Sequence, residues 1–358
     1  MFNFKGKIKI LRDMALNFIS NGRYDLSYIV EVANWSIKYD GKYITVNLNK
    51  LNLLKSRITT TYLGIRNQII HFGSVHTFLR EKGFCQPHRS NKLVLTWFHF
   101  VPQDKKNKNI IEAQKYLEVI HTSCNITKNN LVNFGVDLKK IVVIPLGVDL
   151  SLFSPVSFKE KQKIKKQLGI PSDRIVIGSF QKDGVGWGEG LEPKLIKGPD
   201  IFVKVVEKLA KEYPIFVLLV GPARGYVKKE IEKRNIPYKH VGYLENLKKV
   251  AFYYQVLDLY LITSRIEGGP KQILESWASG IPVVSTKVGM IPDIAKDGED
   301  ILLAEVENVT QLVENCQKII EDCQLRERLS RNELEKVKDF SWEKIAQRYY
   351  QEIYSKLV

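Results

Sequence analysis

The sequence predicts an α/β protein with two parallel-sheet domains facing a central cleft. Short apolar runs of strand length alternate with helical patterns along both halves, which is typical of strand–helix–strand units. The 358 residues suffice for two domains of ordinary size. Residues 1–170 hold 27 lysines and arginines against 11 acids, whereas residues 171–358 hold 28 of each. Two domains with different partners are therefore expected.

Composition restricts the class of protein. No apolar run approaches the ~20 residues that a membrane-spanning helix needs, and the N-terminal stretch lacks a signal-type apolar core. A cytoplasmic protein is expected, either free or associated with the inner face of the membrane. The four cysteines are scattered, so neither zinc nor a disulfide framework is predicted.

The excess positive charge of the first half suits an anionic membrane surface or a pyrophosphate-linked acceptor. A solvated basic face without a partner is the alternative. Nucleic acid is not expected as a partner, because the sequence has no nucleic-acid-binding motif and no face on which aromatic and basic residues interleave.

The first half begins with a predicted amphipathic helix over residues 5–21. One face of this helix carries Ile8, Leu11, Met14, Ala15 and Phe18. That face either packs on the first domain or lies on a membrane, and packing is the favoured alternative.

The next elements are a strand, a turn and a second strand with a candidate site residue. Residues 28–32 predict the first strand, and Asn34-Trp35-Ser36 begins a turn into a helix. Residues 92–102 predict a strand that ends in His99. Polar residues at the carboxyl ends of strands line the ligand crevice of open α/β sheets, so His99 is a candidate site residue. A histidine satisfied by backbone groups at a strand end is the alternative.

The predicted domains span residues 1–160 and 161–340, followed by a terminal helix over residues 341–358. The second domain opens with a strand over residues 174–180. Residues 183–193 then contain four glycines and a tryptophan, which indicates either a loop that covers a ligand or a plain surface insertion.

A segment of the second domain carries the strongest functional signal. An apolar strand over residues 257–262 leads to Gly268-Gly269, where a backbone without side chains can approach a ligand closely. Pro270 fits the first turn of a helix, and the free N–H groups of Lys271, Gln272 and Ile273 are expected to bind a diphosphate.

Two carboxylates belong to the same segment. Glu267 precedes the helix and Glu275 lies on it, eight positions further along. A carboxylate can accept hydrogen bonds from two hydroxyl groups, which suits a sugar or a ribose. Solvated acids near a helix start are the alternative for either residue taken alone.

The pattern from Glu267 to Val284, with Glu275, Gly280 and Pro282 in place, resembles the E-x7-E signature of retaining glycosyltransferases of family 4. The resemblance covers essentially the whole C-terminal half and, more weakly, much of the N-terminal half. It implies the GT-B fold, with two Rossmann-like domains and a terminal helix that crosses back to the first one.

The resemblance also implies roles for residues outside the signature. His99 is expected to contact the reacting sugar, and Tyr243 to pack against the nucleotide base. Lys197 matches a lysine that binds the donor diphosphate. Ser179 stands where the family has a second phosphate-binding residue, an arginine, and Lys182 is close enough to substitute. The family's Gly-Gly pair after the first strand is absent.

The implied function is transfer of a sugar, of the hexosyl type, from a nucleotide-diphosphate sugar to a hydroxyl of a glycan or lipid-linked acceptor. His99 and Glu267 are the expected catalytic residues. The donor is held by Lys182, Lys197, Gly268, Gly269, Lys271, Gln272, Ile273, Glu275 and Tyr243. No cofactor and no obligatory metal are expected, and polysaccharide or glycolipid assembly is the expected setting.

Two other readings remain open. Another GT-B enzyme, such as a sugar-nucleotide epimerase or a phosphorylase, would use a similar donor pocket. An inactive homologue that serves as a binding partner is the second alternative, and the missing arginine and Gly-Gly pair favour it.

Overall fold

A computed structural model describes residues 4–32 and 36–358. Residue contacts divide the chain into two compact units. The first unit ends at Gly147 and also takes in Ser341–Val358. The second unit is Val148–Phe340.

The boundary between the units lies earlier than the sequence pattern placed it. Residues 148–160 were assigned to the first domain, but they pack within the second unit. The Phe153 ring lies 5.6 Å from the Tyr254 ring there, and burial of these two rings accounts for the difference. The turn predicted at Asn34-Trp35 lies outside the described residues.

Strands and helices are numbered along the chain. The strands are β1 (Leu26–Ile29), β2 (Ser56–Thr59), β3 (Ile69–Phe72), β4 (Lys92–Thr96), β5 (Val119–Thr122), β6 (Ile141–Val143), β7 (Ile175–Phe180), β8 (Ile215–Val220), β9 (Tyr238–Val241), β10 (Leu259–Ile262), β11 (Val283–Thr286) and β12 (Leu302–Ala304). The helices are α1 (Phe4–Ile19), α2 (Ser36–Lys50), α3 (Val75–Phe78), α4 (Ile110–Ala113), α5 (Asn125–Asn133), α6 (Phe158–Leu168), α7 (Pro199–Ala210), α8 (Gly225–Glu232), α9 (Leu247–Tyr254), α10 (Gln272–Ala278), α11 (Ile291–Ile294), α12 (Val309–Glu321), α13 (Cys323–Lys336) and α14 (Trp342–Glu352).

Each unit is built on one sheet of parallel strands, so the prediction of an α/β protein with two parallel-sheet units is confirmed. Across the described residues, the first sheet has six strands in the order β2-β1-β3-β4-β5-β6. The second sheet, counted over the same part of the chain, has six strands in the order β12-β11-β10-β7-β8-β9. In each sheet the chain moves first to one side and then to the other, and ligands bind at such reversal points in open α/β folds. The reversals lie between β1 and β3 and between β7 and β10.

The second sheet is buried on both faces, as a parallel sheet requires. All six residues of β8 are buried, and so are all four of β10 and all four of β11. Helix α7 covers one face with Phe202, Val205, Val206 and Leu209, which repeat at helical spacing. This core fixes the ends of β7 and β10 and thereby positions the loops that follow them.

The first unit contains a buried chain of hydrogen bonds that includes two histidines. The Tyr354 hydroxyl donates to His71 Nδ1 at 2.6 Å, and His71 Nε2 donates to the Thr96 hydroxyl at 2.7 Å. Thr96 donates to His121 Nδ1 at 3.0 Å, and His121 Nε2 donates to the Ile144 carbonyl at 2.9 Å. Because a carbonyl can only accept, this last bond fixes the direction of the whole chain.

Both histidines are held neutral by their surroundings. Burial lowers the pKa of His71 well below its usual value, with His121 as a further cause. Burial also lowers the pKa of His121 to about 4. The chain of hydrogen bonds ties the C-terminal Tyr354 to β3, β4 and β5, so these histidines serve the interior of the first unit.

Helix α1 lies on the first unit, but not by the face that the sequence pattern favoured. Ile8, Leu11, Ala15 and Phe18 are exposed, and Met14 is half-buried. The prediction that this apolar face packs on the unit is therefore wrong. The physical reason is that Asp13 and Asn17, on the opposite face, bind backbone groups of the unit.

Searched over the described residues, no helix is long and apolar enough to cross a membrane.

Candidate functional site

The centre of the candidate site is an ion pair between Lys197 and Glu267. The Lys197 ammonium lies 2.7 Å from both carboxylate oxygens of Glu267, and the Ser264 hydroxyl donates to the same carboxylate at 2.9 Å. The Glu267 side chain is only 9% exposed. Ser264 and Glu267 follow β10 at the strand reversal of the second sheet, where a ligand site is expected.

Glu275 lies in the first turn of α10 and accepts a hydrogen bond from the Tyr254 hydroxyl at 2.7 Å. Tyr254 is fully buried, and its ring packs against Phe180 and Tyr260. Burial raises the pKa of the Tyr254 hydroxyl, and the Glu275 carboxylate raises it further, so this hydroxyl stays protonated and donates. A carboxylate offers about four acceptor positions, so Glu275 keeps acceptor capacity for ligand hydroxyls.

The Gly268-Gly269 turn is held by the loop after β11. The Gly268 carbonyl accepts a hydrogen bond from the Met290 N–H at 2.8 Å. Gly289 has a φ of 55°, and a Cβ on it would lie 2.4 Å from the Gly268 carbonyl oxygen. Glycine is therefore required at position 289 to let the two loops approach each other.

The start of α10 differs from the prediction. The helix begins at Gln272 rather than at Pro270, and Lys271 is its N-cap residue. The N–H of Ile273 is not free, because it donates to the Pro270 carbonyl at 3.2 Å, and the Ile273 side chain is buried. The prediction that the Ile273 N–H binds a ligand is therefore wrong. The Gln272 side chain donates to the Phe180 carbonyl at 3.0 Å and links α10 to the end of β7.

Lys194 lies near Lys197, Lys182 and the Glu267 carboxylate, and it was not predicted from the sequence. Lys182, at the end of β7, places its ammonium 4.2 Å from the centre of the Trp187 ring. Lys194 is half-buried, and among the described residues its ammonium has no hydrogen-bonded carboxylate partner. Burial lowers the pKa of Lys194, and the charges of Lys197 and Lys182 lower it further. Lys197 and Lys182 therefore lie close enough to Lys194 to affect its charge.

Position 179 is a buried serine that contacts an arginine from another loop. The Arg224 guanidinium donates to the Ser179 carbonyl at 2.5 Å and to the Ser179 hydroxyl at 3.0 Å. Arg224 and its ion-pair partner Asp183 are both nearly inaccessible to solvent, with Nε and Oδ1 2.9 Å apart. Burial raises the pKa of Asp183, and Arg224 acts in the opposite direction.

The buried Asp183–Arg224 pair anchors the base of the loop over residues 183–193. The Gly225 N–H donates to the Glu189 carbonyl at 2.7 Å, and the Val185 N–H donates to the Glu192 carbonyl at 2.9 Å. Trp187 remains 58% exposed, so the aromatic ring beside Lys182 is presented to solvent on an anchored loop.

Tyr243 and His99 are two further residues that the sequence predicts for the site. Tyr243 lies between β9 and α9 and is 46% exposed. His99 lies in the first unit, is exposed, and accepts a hydrogen bond from the Trp97 indole through its carbonyl. The prediction that His99 ends a strand is wrong, since β4 ends at Thr96.

The first unit has a cavity of its own at its strand reversal. The cavity has a volume of ≈ 570 Å³ and lies where β1 and β3 end. Its polar lining includes Glu31, His76 and Arg80, and His99 does not line it. Glu31 accepts a hydrogen bond from the Ser74 hydroxyl at 2.9 Å. Sequence patterns did not identify Glu31 and Arg80, because isolated polar residues after short strands carry no spacing signal.

Comparison with known proteins gives matches to glycosyltransferases. Residues 190–336 match the model of the family described as "Glycosyl transferases group 1". A D-inositol 3-phosphate glycosyltransferase of Corynebacterium efficiens is 23% identical over 59% of this chain and 50% of its own length. An uncharacterized glycosyltransferase of Methanocaldococcus jannaschii is 30% identical over 41% of this chain and 42% of its own length. The chain thus spans about half the length, or less, of these curated relatives.

A solved structure shares the fold over nearly the whole chain. The Anabaena protein HepE in complex with UDP-glucose superposes with a TM-score of 0.73 at 16% identity, over 93% of this chain and 100% of HepE. The chain therefore has the two-sheet α/β fold of GT-B proteins, and its residues 190–336 match the glycosyl transferases group 1 family.

Proposed function

We propose that the protein is a retaining glycosyltransferase that moves a sugar from a nucleotide-diphosphate sugar to a hydroxyl of a glycan or lipid-linked acceptor. The observation that carries this proposal is the Lys197–Glu267 ion pair at the strand reversal of the second sheet, with Lys194 and Lys182 in its neighbourhood. Such an arrangement offers cations to a diphosphate and an acceptor group to a sugar at the same place.

The lysines are proposed to bind the diphosphate. An ammonium has three N–H donors, so Lys197 can keep its two contacts with Glu267 and still offer one to a phosphate oxygen. Lys182 and Lys194 add two positive charges. Among the described residues, no carboxylate is hydrogen-bonded to the Lys194 ammonium. Lysines act as point charges and do not grip two oxygens in a fork, so a third lysine offsets the arginine that Ser179 replaces.

The two glutamates are proposed to bind hydroxyl groups of the donor. Glu267 accepts from the transferred sugar, and its contact with Lys197 holds the carboxylate in place. Glu275 accepts from the ribose and is oriented by the buried Tyr254 hydroxyl. Tyr243 is the proposed contact for the base, and the backbone of Gly268-Gly269 allows close approach of the sugar.

In the transfer step, the bond between the anomeric carbon and the diphosphate oxygen breaks, and the acceptor oxygen bonds to that carbon. The acceptor proton passes to the departing diphosphate. Departure is the demanding part, because negative charge accumulates on the leaving group, and fixed ammonium groups stabilise that charge. A divalent ion is proposed not to be obligatory, so activity is expected to persist in EDTA.

The acceptor is proposed to bind to the first unit. The cavity of the first unit at the β1–β3 reversal is lined by Glu31, His76 and Arg80, which can bind polar groups of an acceptor. His99 stays a candidate for contact with the reacting sugar. UDP-sugars are the first donors to test, because HepE binds UDP-glucose and shares the fold.

The proposal is tested by thermal unfolding with UDP-, GDP-, ADP- and TDP-sugars. One of these donors is expected to raise the Tm of the wild type and not that of Glu275→Gln, which keeps an acceptor for the Tyr254 hydroxyl but loses the charge. Glu327→Ala, at an exposed position of the same unit, is the matched control and should respond like the wild type. If no nucleotide sugar shifts the wild type, the donor site is absent. Product analysis with and without an acceptor separates transfer from epimerisation.

A further inference from the structure

Helix α1 is attached to the first unit through polar side chains. The Asp13 carboxylate accepts hydrogen bonds from the Thr60 N–H at 3.1 Å and from the Thr60 hydroxyl at 2.8 Å. The Asn17 amide donates to the carbonyls of Thr61 and Leu63, both at 2.9 Å. Asp13 and Asn17 are buried, and at a spacing of four residues they lie on one face of the helix.

The opposite face of α1 is apolar and open to solvent. Ile8, Leu11, Ala15 and Ile19 lie on successive turns, and we refer to these four residues as the α1 outer face. Ile8 is 50% exposed, Leu11 59% and Ile19 69%. A helix of a globular protein ordinarily buries its apolar stripe and exposes its polar one. Here the arrangement is reversed, which leaves the apolar stripe for an external partner.

Positive charge borders the α1 outer face. Across its sixteen residues α1 holds four lysines and arginines and the single acid Asp13, which is buried. Lys7 and Arg12 are exposed beside the apolar stripe, although Arg12 also contacts Asp13 at 3.1 Å. Lys9 continues this charge toward α2, where Lys38 has a pKa lowered by burial and then by Lys9 and Lys42.

We propose that the α1 outer face docks on an anionic phospholipid surface. An amphipathic helix lies in the plane of the interface with its apolar side chains among the acyl chains and its basic side chains at the headgroups. Each lysine or arginine near such a surface contributes roughly 1 kcal/mol. The exposed Ile8, Leu11 and Ile19 supply the apolar contact, and Lys7, Lys9 and Arg12 the electrostatic one.

A second copy of the chain is the other occupant that an apolar stripe suggests. The stripe repeats at intervals of three and four residues, as in a helix pair. The flanking positions carry Lys7 and Arg12, so pairing two copies of α1 would bring like charges together, which disfavours the pair. The same charges attract anionic lipid, and charge therefore selects the membrane.

The test is co-sedimentation of the full chain with vesicles in the absence of any nucleotide, so the result does not depend on transfer activity. Wild type is expected to bind mixed phosphatidylcholine–phosphatidylglycerol vesicles and to bind pure phosphatidylcholine at least about tenfold more weakly. Raised salt should weaken the binding to the mixed vesicles.

Two double variants and one control separate the apolar from the electrostatic contribution to vesicle binding. Leu11→Gln with Ile19→Gln should reduce binding to the mixed vesicles about tenfold or more, because each substitution removes an aliphatic side chain that would enter the acyl region. Lys7→Gln with Lys9→Gln should reduce it about tenfold for the mixed vesicles only. Leu138→Gln, at a leucine 53% exposed in the same unit, is the matched control and should bind like wild type.

Several outcomes overturn the proposal. The first is that the wild type does not bind the mixed vesicles. The second is that the Leu138→Gln control loses as much binding as the double variant at Leu11 and Ile19. A third is a dimer that the Leu11→Gln and Ile19→Gln substitutions convert to a monomer with lipid binding unchanged, since a second copy would then be the occupant. All the substituted side chains of the first double variant are exposed, so an unchanged Tm is expected and shows that the fold is intact.

Discussion

The Lys197 ammonium contacts both carboxylate oxygens of Glu267, at 2.7 Å each, in the second unit. Lys197 is 21% exposed and Glu267 9%, so the pair is only partly reached by water. The positive charge is therefore in place before a ligand arrives. Fixed charge of this kind stabilises a leaving group without reorganisation at the moment of reaction.

The first prediction concerns Lys197→Met, which keeps most of the aliphatic stem and removes the charge. We expect kcat/KM for the donor to fall by roughly 10²-fold or more, because one fixed donor to a developing charge is worth about 3 kcal/mol. Steady-state kinetics measures this. Lys296→Met removes a lysine from an exposed pair with Glu299 and is the control, with kinetics like wild type. Near-normal kcat/KM in Lys197→Met would contradict the assignment.

The second prediction concerns Lys194, which the sequence pattern did not single out. Lys194→Met should weaken binding of the nucleoside diphosphate about tenfold, because a half-buried ammonium beside Lys182 and Lys197 gains a counter-charge when a diphosphate binds. Calorimetric titration measures the affinity. The salt dependence of binding should also become shallower in the variant. Lys211→Met, at an exposed lysine of the same unit, should leave both quantities unchanged. If the two variants bind the nucleoside diphosphate with equal affinity, Lys194 does not contact the ligand.

The third prediction concerns the buried pair of Asp183 and Arg224. Arg224→Met leaves Asp183 buried without a counter-charge, which should lower the free energy of unfolding by about 3–5 kcal/mol. Urea unfolding measures the loss, and limited proteolysis should show faster cleavage within residues 184–192, whose base the pair holds. Adding Asp183→Asn to Arg224→Met should restore part of the stability, since the buried charge is then gone. Arg331→Met, at an exposed position, is the control. Stability equal to wild type in Arg224→Met would contradict the role.

The fourth prediction is a loss of stability in acid. The folded-state pKa values of His71 and His121 lie below the usual 6.5, that of His121 at about 4. The unfolded chain therefore binds more protons than the folded chain between about pH 6.5 and 4, so the free energy of unfolding falls as the pH falls through that window. Its slope should reach up to about 2.7 kcal/mol per pH unit for two histidines.

Urea unfolding at a series of pH values measures this slope. His88→Gln, at an exposed histidine of the same unit, should leave it unchanged. Tyr354→Phe removes the donor to His71 Nδ1 and should lower stability by about 1 kcal/mol at neutral pH. A free energy of unfolding that stays constant from pH 7 to pH 5 would show that the two histidines are not held neutral.

The sequence predicted the sheets well because their strands are buried on both faces and therefore appear as unbroken apolar runs. The run over residues 257–262 became β10, and the run over 174–180 became β7. The sequence singles out Glu267 and Glu275 as candidates because their spacing and the neighbouring Gly-Gly-Pro form a local pattern. Local patterns of this kind do not depend on how distant segments pack.

Other features depend on distant segments, and the sequence did not reveal them. Periodicity identified α1 as amphipathic, but its attachment is decided by Asp13 and Asn17 binding the backbone of residues 60–63. Lys194 becomes a candidate for the site only because Lys182 and Lys197 approach it from other positions of the chain. Tyr254 orients Glu275 across 21 residues, and no spacing rule predicts that contact.

The chain of hydrogen bonds from Tyr354 to Ile144 has a consequence for synthesis. The first unit is discontinuous in sequence, because Ser341–Val358 belong to it and the whole second unit lies between its two parts. During translation the second unit can fold as soon as its own residues have left the ribosome. The first sheet is made earlier, but His71 receives the Tyr354 hydroxyl only after residues 341–358 have emerged. The first unit, although most of it is synthesised before the second, can therefore complete its folding only after the second unit has been made.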